Sequence, residues 1–211
     1  MLAATGVAGM FGSPWPLLLT GTGLLGALVV VSRGRWTRQG HFGAANVVTA
    51  LRVVLLGFLP WAGAWSPGAL VALSVLVLAT DGVDGWLARR RRLTSEFGQF
   101  FDKETDALFL LVLCVLAVMD GHLPVWIVGA GLLRYVFVVL LFVSPSPEKS
   151  EETSQWARYV YTAMIGALLA SFVLPPPVHR PVVFLATAAL IASFAQSFWR
   201  VLRRRPTFRE P

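Results

Sequence analysis

Four of the five aspartates in this chain fall within 26 residues: Asp81, Asp84, Asp102 and Asp106. The first two stand three apart and the last two four apart, so on helices each pair shares one face. All four lie in or at the mouth of apolar runs, where an ionised carboxylate is costly unless it is paired, hydrated or metal-bound. The Arg-rich stretch between the pairs brings the chain back on itself. Two antiparallel neighbouring helices are therefore expected, with both carboxylate pairs converging a few turns below one surface.

Four carboxylates in one place repel and push one another toward protonation. A pair of divalent cations removes that conflict. Oxygen-only ligands favour Mg²⁺, Mn²⁺ or Ca²⁺ over zinc or copper. Two such ions suit diphosphate chemistry, since they bridge phosphate oxygens and offset charge on a leaving group. A carboxylate not fully committed to metal can then take a proton from an attacking hydroxyl. The plainer alternative is that the aspartates pair with the neighbouring arginines and anchor helix ends. Arg89 to Arg92 suit that interfacial role, but it leaves Asp81 unexplained, about two turns deeper than the Arg run.

The run Asp81-Gly-Val-Asp84-Gly85-Trp-Leu-Ala88-Arg89, followed after eight residues by Gly98, Asp102 and Asp106, resembles the signature of the CDP-alcohol phosphotransferase (phosphatidyltransferase) family. That signature reads D-x2-D-G-x2-A-R, about eight residues, then G-x3-D-x3-D, and all eight fixed positions are present. The resemblance implies an enzyme that joins a CDP-activated alcohol to a second alcohol and releases CMP. It makes Asp81, Asp84 and Asp102 ligands of a two-metal Mg²⁺ or Mn²⁺ site and Asp106 both ligand and catalytic base, with Asp102 counted beside Asp106 as a catalytic residue. Arg89 would contact the nucleotide diphosphate, while Gly85, Ala88 and Gly98 leave room for the nucleotide. Upstream, Asn46-Val-Val-Thr49-Ala-Leu-Arg52 is similar to the family's N-x2-T-x2-R start and would also face the CDP moiety. Thr49 has a plainer reading as a helix back-bonder. Homodimers are common in the family and expected here.

Two further arginines bear on the acceptor. Arg134 lies within an apolar run, where lipid exposure is costly; it is read as part of an acceptor-phosphate pocket, with a helix-packing ion partner as the alternative. Arg158, beside Trp156 and Tyr159, is read the same way or as an interfacial anchor. The family's glycerol-phosphate branch often has an acidic residue where Tyr135 stands, and its D-P-x2-D-K segment reads Asp102-Lys103-Glu104-Thr105-Asp106-Ala107. The acceptor is accordingly left open between glycerol phosphate and inositol phosphate. CDP-diacylglycerol is the expected donor, and a water-soluble CDP-alcohol acting on a lipid acceptor is the alternative.

The elements that must hold these residues are apolar helices. Residues of the AVILMFWYC set make up 56% of the 211, charged residues 14%, and mean hydropathy is +0.68. A soluble domain would carry about a quarter charged residues, so the bilayer is the expected solvent. The net charge of +7 then reports loops facing anionic headgroups and phosphate ligands rather than nucleic acid. Seven stretches have spanning length: roughly 15–32, 47–65, 68–90, 101–119, 123–143, 157–174 and 181–201. The expected fold is all-α, a polytopic membrane bundle of six core transmembrane helices plus one N-terminal hydrophobic helix, the latter spanning or interfacial. Residues 1–42 would form that helix and a basic loop, 43–202 the transferase domain, and 203–211 a basic tail. The four basic clusters fall on one side, which the positive-inside rule makes cytoplasmic. That predicts a multi-pass protein of the cell (inner or cytoplasmic) membrane with its site facing the cytoplasm. Tryptophans near span ends form an aromatic belt. His41, His122 and His179 are expected in loops, and the single Cys114 in a core.

A cation transporter is the rival from another class, since intramembrane aspartates mark such proteins. Nothing after residue 120 echoes the first half, as a transporter's paired repeats would. A catalytically dead scaffold is the third reading, and the complete motif speaks against it.

Overall fold

The computed structural model describes residues 12–37, 40–91, 95–143 and 155–203, with the side chains of 82–91, 141–143 and 200–203 excluded. Among these residues every regular element is an α-helix: α1 (Trp15–Val31), α2 (Ala44–Gly57), α3 (Leu59–Trp65), α4 (Pro67–Arg91), α5 (Glu96–Met119), α6 (Ile127–Val143), α7 (Gln155–Ser171) and α8 (Pro176–Arg203).

Local chemistry sets their ends. Ser95 caps α5, its Oγ accepting the Gly98 N–H at 2.9 Å, with Glu96 in the first turn where the helix dipole favours an acid. The helix stops at Gly121, whose φ of 73° is open to glycine. Its N–H reaches the Val118 carbonyl and the His122 N–H the Ala117 carbonyl, a Schellman ending. Ser66 is extended before Pro67, as a residue preceding proline prefers, and its Oγ accepts from the Ala69 N–H to start α4.

Two expectations need correction. The stretch 47–65, read as one span, is two helices bent by 41° at Phe58. Pro60 cannot donate to the Leu56 carbonyl, so the ladder breaks one turn ahead of it. The last helix starts at Pro176 rather than near 181 and carries Pro181 within it. Pro176 and Pro177 sit in its first turn, where a missing N–H costs nothing. His179 therefore lies in a helix, not a loop. It is buried, with the His122 ring edge-on at 6.5 Å between centroids.

Helix α5 is the hub, packing against α1, α2, α6 and α7; α4 lies on α2 and α3, and α8 on α6 and α7. Every residue from Ala107 to Val118 is buried. A helix apolar all round belongs at the centre of a bundle. The other helices turn large apolar residues outward, among them Leu19, Leu24, Val54, Trp61, Val75, Leu76, Val139, Phe184 and Leu185. An exterior this apolar marks a surface that meets something other than water. Among the described residues, Pro176–Trp199 alone is long and apolar enough to cross a membrane unaided, and the bent α2–α3 pair reaches that length together. Helix α1, Pro67–Asp81 and Ile127–Leu140 are apolar but shorter.

Candidate active site

The site is assembled by three helices around one arginine. Asn46, Thr49, Arg52 and Leu56 recur at helical spacing and form the buried face of α2. That face places Arg52, with no exposed surface, between α4 and α5. Its Nη1 lies 3.0 Å from Asp81 Oδ1 and 2.6 Å from Asp102 Oδ1, and its Nη2 bonds Asp106 Oδ1. A guanidinium is a rigid fork of donors, which lets one side chain serve three acceptors. The carboxylates stay partly open, from 25% exposed at Asp106 to 39% at Asp81.

One oxygen from each of Asp81, Asp102 and Asp106 lies within 4.8 Å of the others. The convergence of the two acidic pairs expected from their spacing is thus seen for these three. Asp84 follows Asp81 by one turn of α4, but its side chain, with those of Ala88 and Arg89, lies outside the described residues, as does the surrounding of Gly85. The donor set is all carboxylate oxygen, and such a set fits a hard divalent ion.

The remaining candidates separate into those at the cluster and those turned from it. Gly98 is tight against α2: a Cβ there would stand 2.7 Å from Asn46 Oδ1 and 3.0 Å from Ser95 Oγ. Asn46 in turn donates to the Phe42 carbonyl and, at 3.5 Å, to that of Trp36. The space spared at Gly98 is met by the Asn46 side chain, and both residues fix how α5 starts beside α2. The Thr49 hydroxyl bonds the Ala45 carbonyl of its own helix at 3.2 Å.

Arg134 of α6 is engaged by Glu104, with Nε at 3.2 Å and Nη2 at 2.9 Å from Oε1, and both side chains are largely buried. Glu104 stands two residues from Asp102 and from Asp106, about 200° around α5. It points away from their face, and Arg134 goes with it. This pairing matches the ion-partner alternative for Arg134. Arg158 is exposed on the first turn of α7.

Residues 42–199 match the model of the CDP-alcohol phosphatidyltransferase family, a stretch that holds Arg52 and all four signature aspartates. The chain belongs to this family. It is similar to a CDP-diacylglycerol–glycerol-3-phosphate 3-phosphatidyltransferase of Pseudomonas fluorescens, 29% identical over 170 residues that cover 75% of this chain and 86% of the relative. A probable phosphatidylglycerophosphate synthase of Mycobacterium tuberculosis is 30% identical over 156 residues, 70% of this chain and 74% of the relative. A second CDP-diacylglycerol–glycerol-3-phosphate 3-phosphatidyltransferase, from Pectobacterium atrosepticum, is 27% identical over 77% of this chain and 93% of its own length.

As a CDP-alcohol phosphatidyltransferase, the chain is a phosphotransferase. Two residues escape a reading from sequence, Tyr161 at the site and Glu104 on the opposite face of α5. Tyr161 of α7 donates its hydroxyl to the Asp106 main-chain carbonyl at 3.1 Å, holding the turn of α5 that presents the carboxylate. It stands three residues after Arg158, on the same helix face, and that spacing was the available signal. Glu104, the partner of Arg134, carried none beyond its charge.

Proposed function

We propose that this transferase moves the phosphatidyl group of CDP-diacylglycerol to the hydroxyl of glycerol 3-phosphate, releasing CMP. The observation that carries the reading is the tri-aspartate cluster closed on Arg52, in a chain whose relatives bear that activity in their names. Inositol phosphate is the second acceptor, less supported because none of the relatives described above is named for it.

In this reading the acceptor oxygen attacks the phosphorus attached to the diacylglycerol. A new P–O bond forms, the diphosphate P–O bond breaks, and CMP departs with the electron pair. Asp106 takes the hydroxyl proton, held in place through Tyr161 and α5. Asp81, Asp84, Asp102 and Asp106 would hold two divalent ions, Mg²⁺ or Mn²⁺, which when bound neutralise charge on the phosphates and the leaving group. Arg52 and Arg89 are assigned to the donor diphosphate, with Gly85 and Ala88 shaping its pocket and Asn46, Thr49 and Gly98 supporting it. Arg158, exposed on α7 three residues before Tyr161, is assigned to the acceptor phosphate, and Arg134 to holding α6 on α5.

The outward apolar surface and the seven apolar stretches support a multi-pass protein of the cytoplasmic membrane; a homodimer is assigned on the family resemblance alone, with residues 43–202 as the catalytic domain. The one-sided basic residues support a site facing the cytoplasm. Cysteines placed at positions 144–154 of a Cys114→Ala chain should then resist an impermeant thiol reagent in intact cells. Purified protein with Mg²⁺ and CDP-diacylglycerol should release CMP fastest with glycerol 3-phosphate, in a screen including inositol phosphate, inositol and serine. No CMP release with any acceptor would reject the reading, and preference for inositol phosphate would correct its acceptor.

A further inference from the structure

Arg52 contacts the same carboxylates that form the candidate metal site. Its Nη1 is shared between Asp81 and Asp102, and its Nη2 goes to Asp106. The three carboxylate oxygens that could ligate one ion lie within 4.8 Å of one another. A fully buried guanidinium in that position and a divalent ion draw on the same oxygens, and they repel each other across a few ångströms. Yet without some cation, three carboxylates would not stay so close.

We propose that Arg52 is the built-in counter-ion of the aspartate cluster, exchanging at least one carboxylate when a divalent ion enters. The proposal rests on the metal-site reading above. It gives Arg52 two duties: it keeps α2, α4 and α5 together before metal is loaded, and it sets how tightly metal is held. The fork it withdraws from a carboxylate matches a phosphate equally well. Loading the ion and preparing for the donor's diphosphate then become one rearrangement. No bond is made or broken in this exchange.

The test uses the purified full-length chain with Mn²⁺ as the only probe, free Mn²⁺ being read by electron paramagnetic resonance and unfolding by thermal melting. Arg52→Gln removes the competing charge and is expected to bind Mn²⁺ at least about tenfold more tightly than the wild type. In EDTA the same variant should melt below the wild type, and saturating Mn²⁺ should restore most of the difference. If Arg52→Gln does not fold, Arg52→Lys carries the test. An ammonium keeps the charge but cannot span three carboxylates, so Mn²⁺ affinity should rise by about threefold. Unchanged or weaker Mn²⁺ affinity in the folded variant, with the wild type binding normally, overturns the exchange alone. A wild-type chain that binds no Mn²⁺ at millimolar concentrations overturns the metal-site reading and this proposal with it.

Discussion

Helix α5 carries acidic residues to two faces within two turns, and each face meets a buried arginine from a different helix. On one side Asp102 and Asp106, joined by Asp81 of α4, surround Arg52. On the other, Glu104 meets Arg134. Among the described residues the second pairing sets one acid against one base, a balanced charge. The first sets three acids against one base, and the carboxylates remain partly open to the outside. An excess of like charge held together at a protein's own cost is the mark of a site that awaits a ligand, whereas a balanced pair is the mark of packing.

The largest effect that would break this comparison is at the acidic face. Asp106→Asn should lower turnover by about 10²–10⁴-fold, the range for losing a general base, and Asp81→Asn should be comparable through the metal. Both variants should melt no lower than the wild type, because each relieves repulsion. CMP-release assays beside melting curves check this. Near-normal turnover in both would make the two faces alike.

Glu104→Gln should do the opposite. Leaving Arg134 largely buried without its carboxylate should cost on the order of 1–3 kcal/mol of stability, while kcat and both KM values stay within about twofold, a factor worth well under 1 kcal/mol. A rise in the acceptor KM with the fold intact would return Arg134 to the acceptor pocket. Tyr161→Phe is the finest test. Losing one hydroxyl contact to the Asp106 carbonyl is worth about 1 kcal/mol, so kcat should fall by about three- to tenfold with KM values unchanged. An unaltered kcat would leave Tyr161 as packing only.

Much of this was legible in the residues themselves. Six of the seven apolar stretches correspond to one helix each and the seventh, 47–65, to the bent α2–α3 pair, because length and apolarity are one-dimensional properties. The acidic spacing correctly placed Asp102 and Asp106 on one face, since helical periodicity is fixed by backbone geometry. The partners of the buried arginines were not legible. A sequence shows that Arg52 and Arg134 must each find an anion, but only the packing of α2 and α6 on α5 decides which. The bend at Phe58 was hidden for a related reason: Pro60 marks a break, but whether the chain bends or ends there depends on neighbouring helices.

The contact between Gly98 and Asn46 acts as a spacing gauge. With a methyl group at position 98 meeting Asn46 Oδ1 at 2.7 Å, alanine there must displace either the Asn46 side chain, which the Phe42 carbonyl holds, or the start of α5. Asp102 is one turn further along the same rod, opposite Arg52 on α2. Whatever part of the displacement α5 takes up is delivered to the reach between guanidinium and carboxylate, where a small change in separation alters the grip on a cation. The smallest residue of the signature thus holds a tolerance for the largest charges in the protein, from a position that touches none of them.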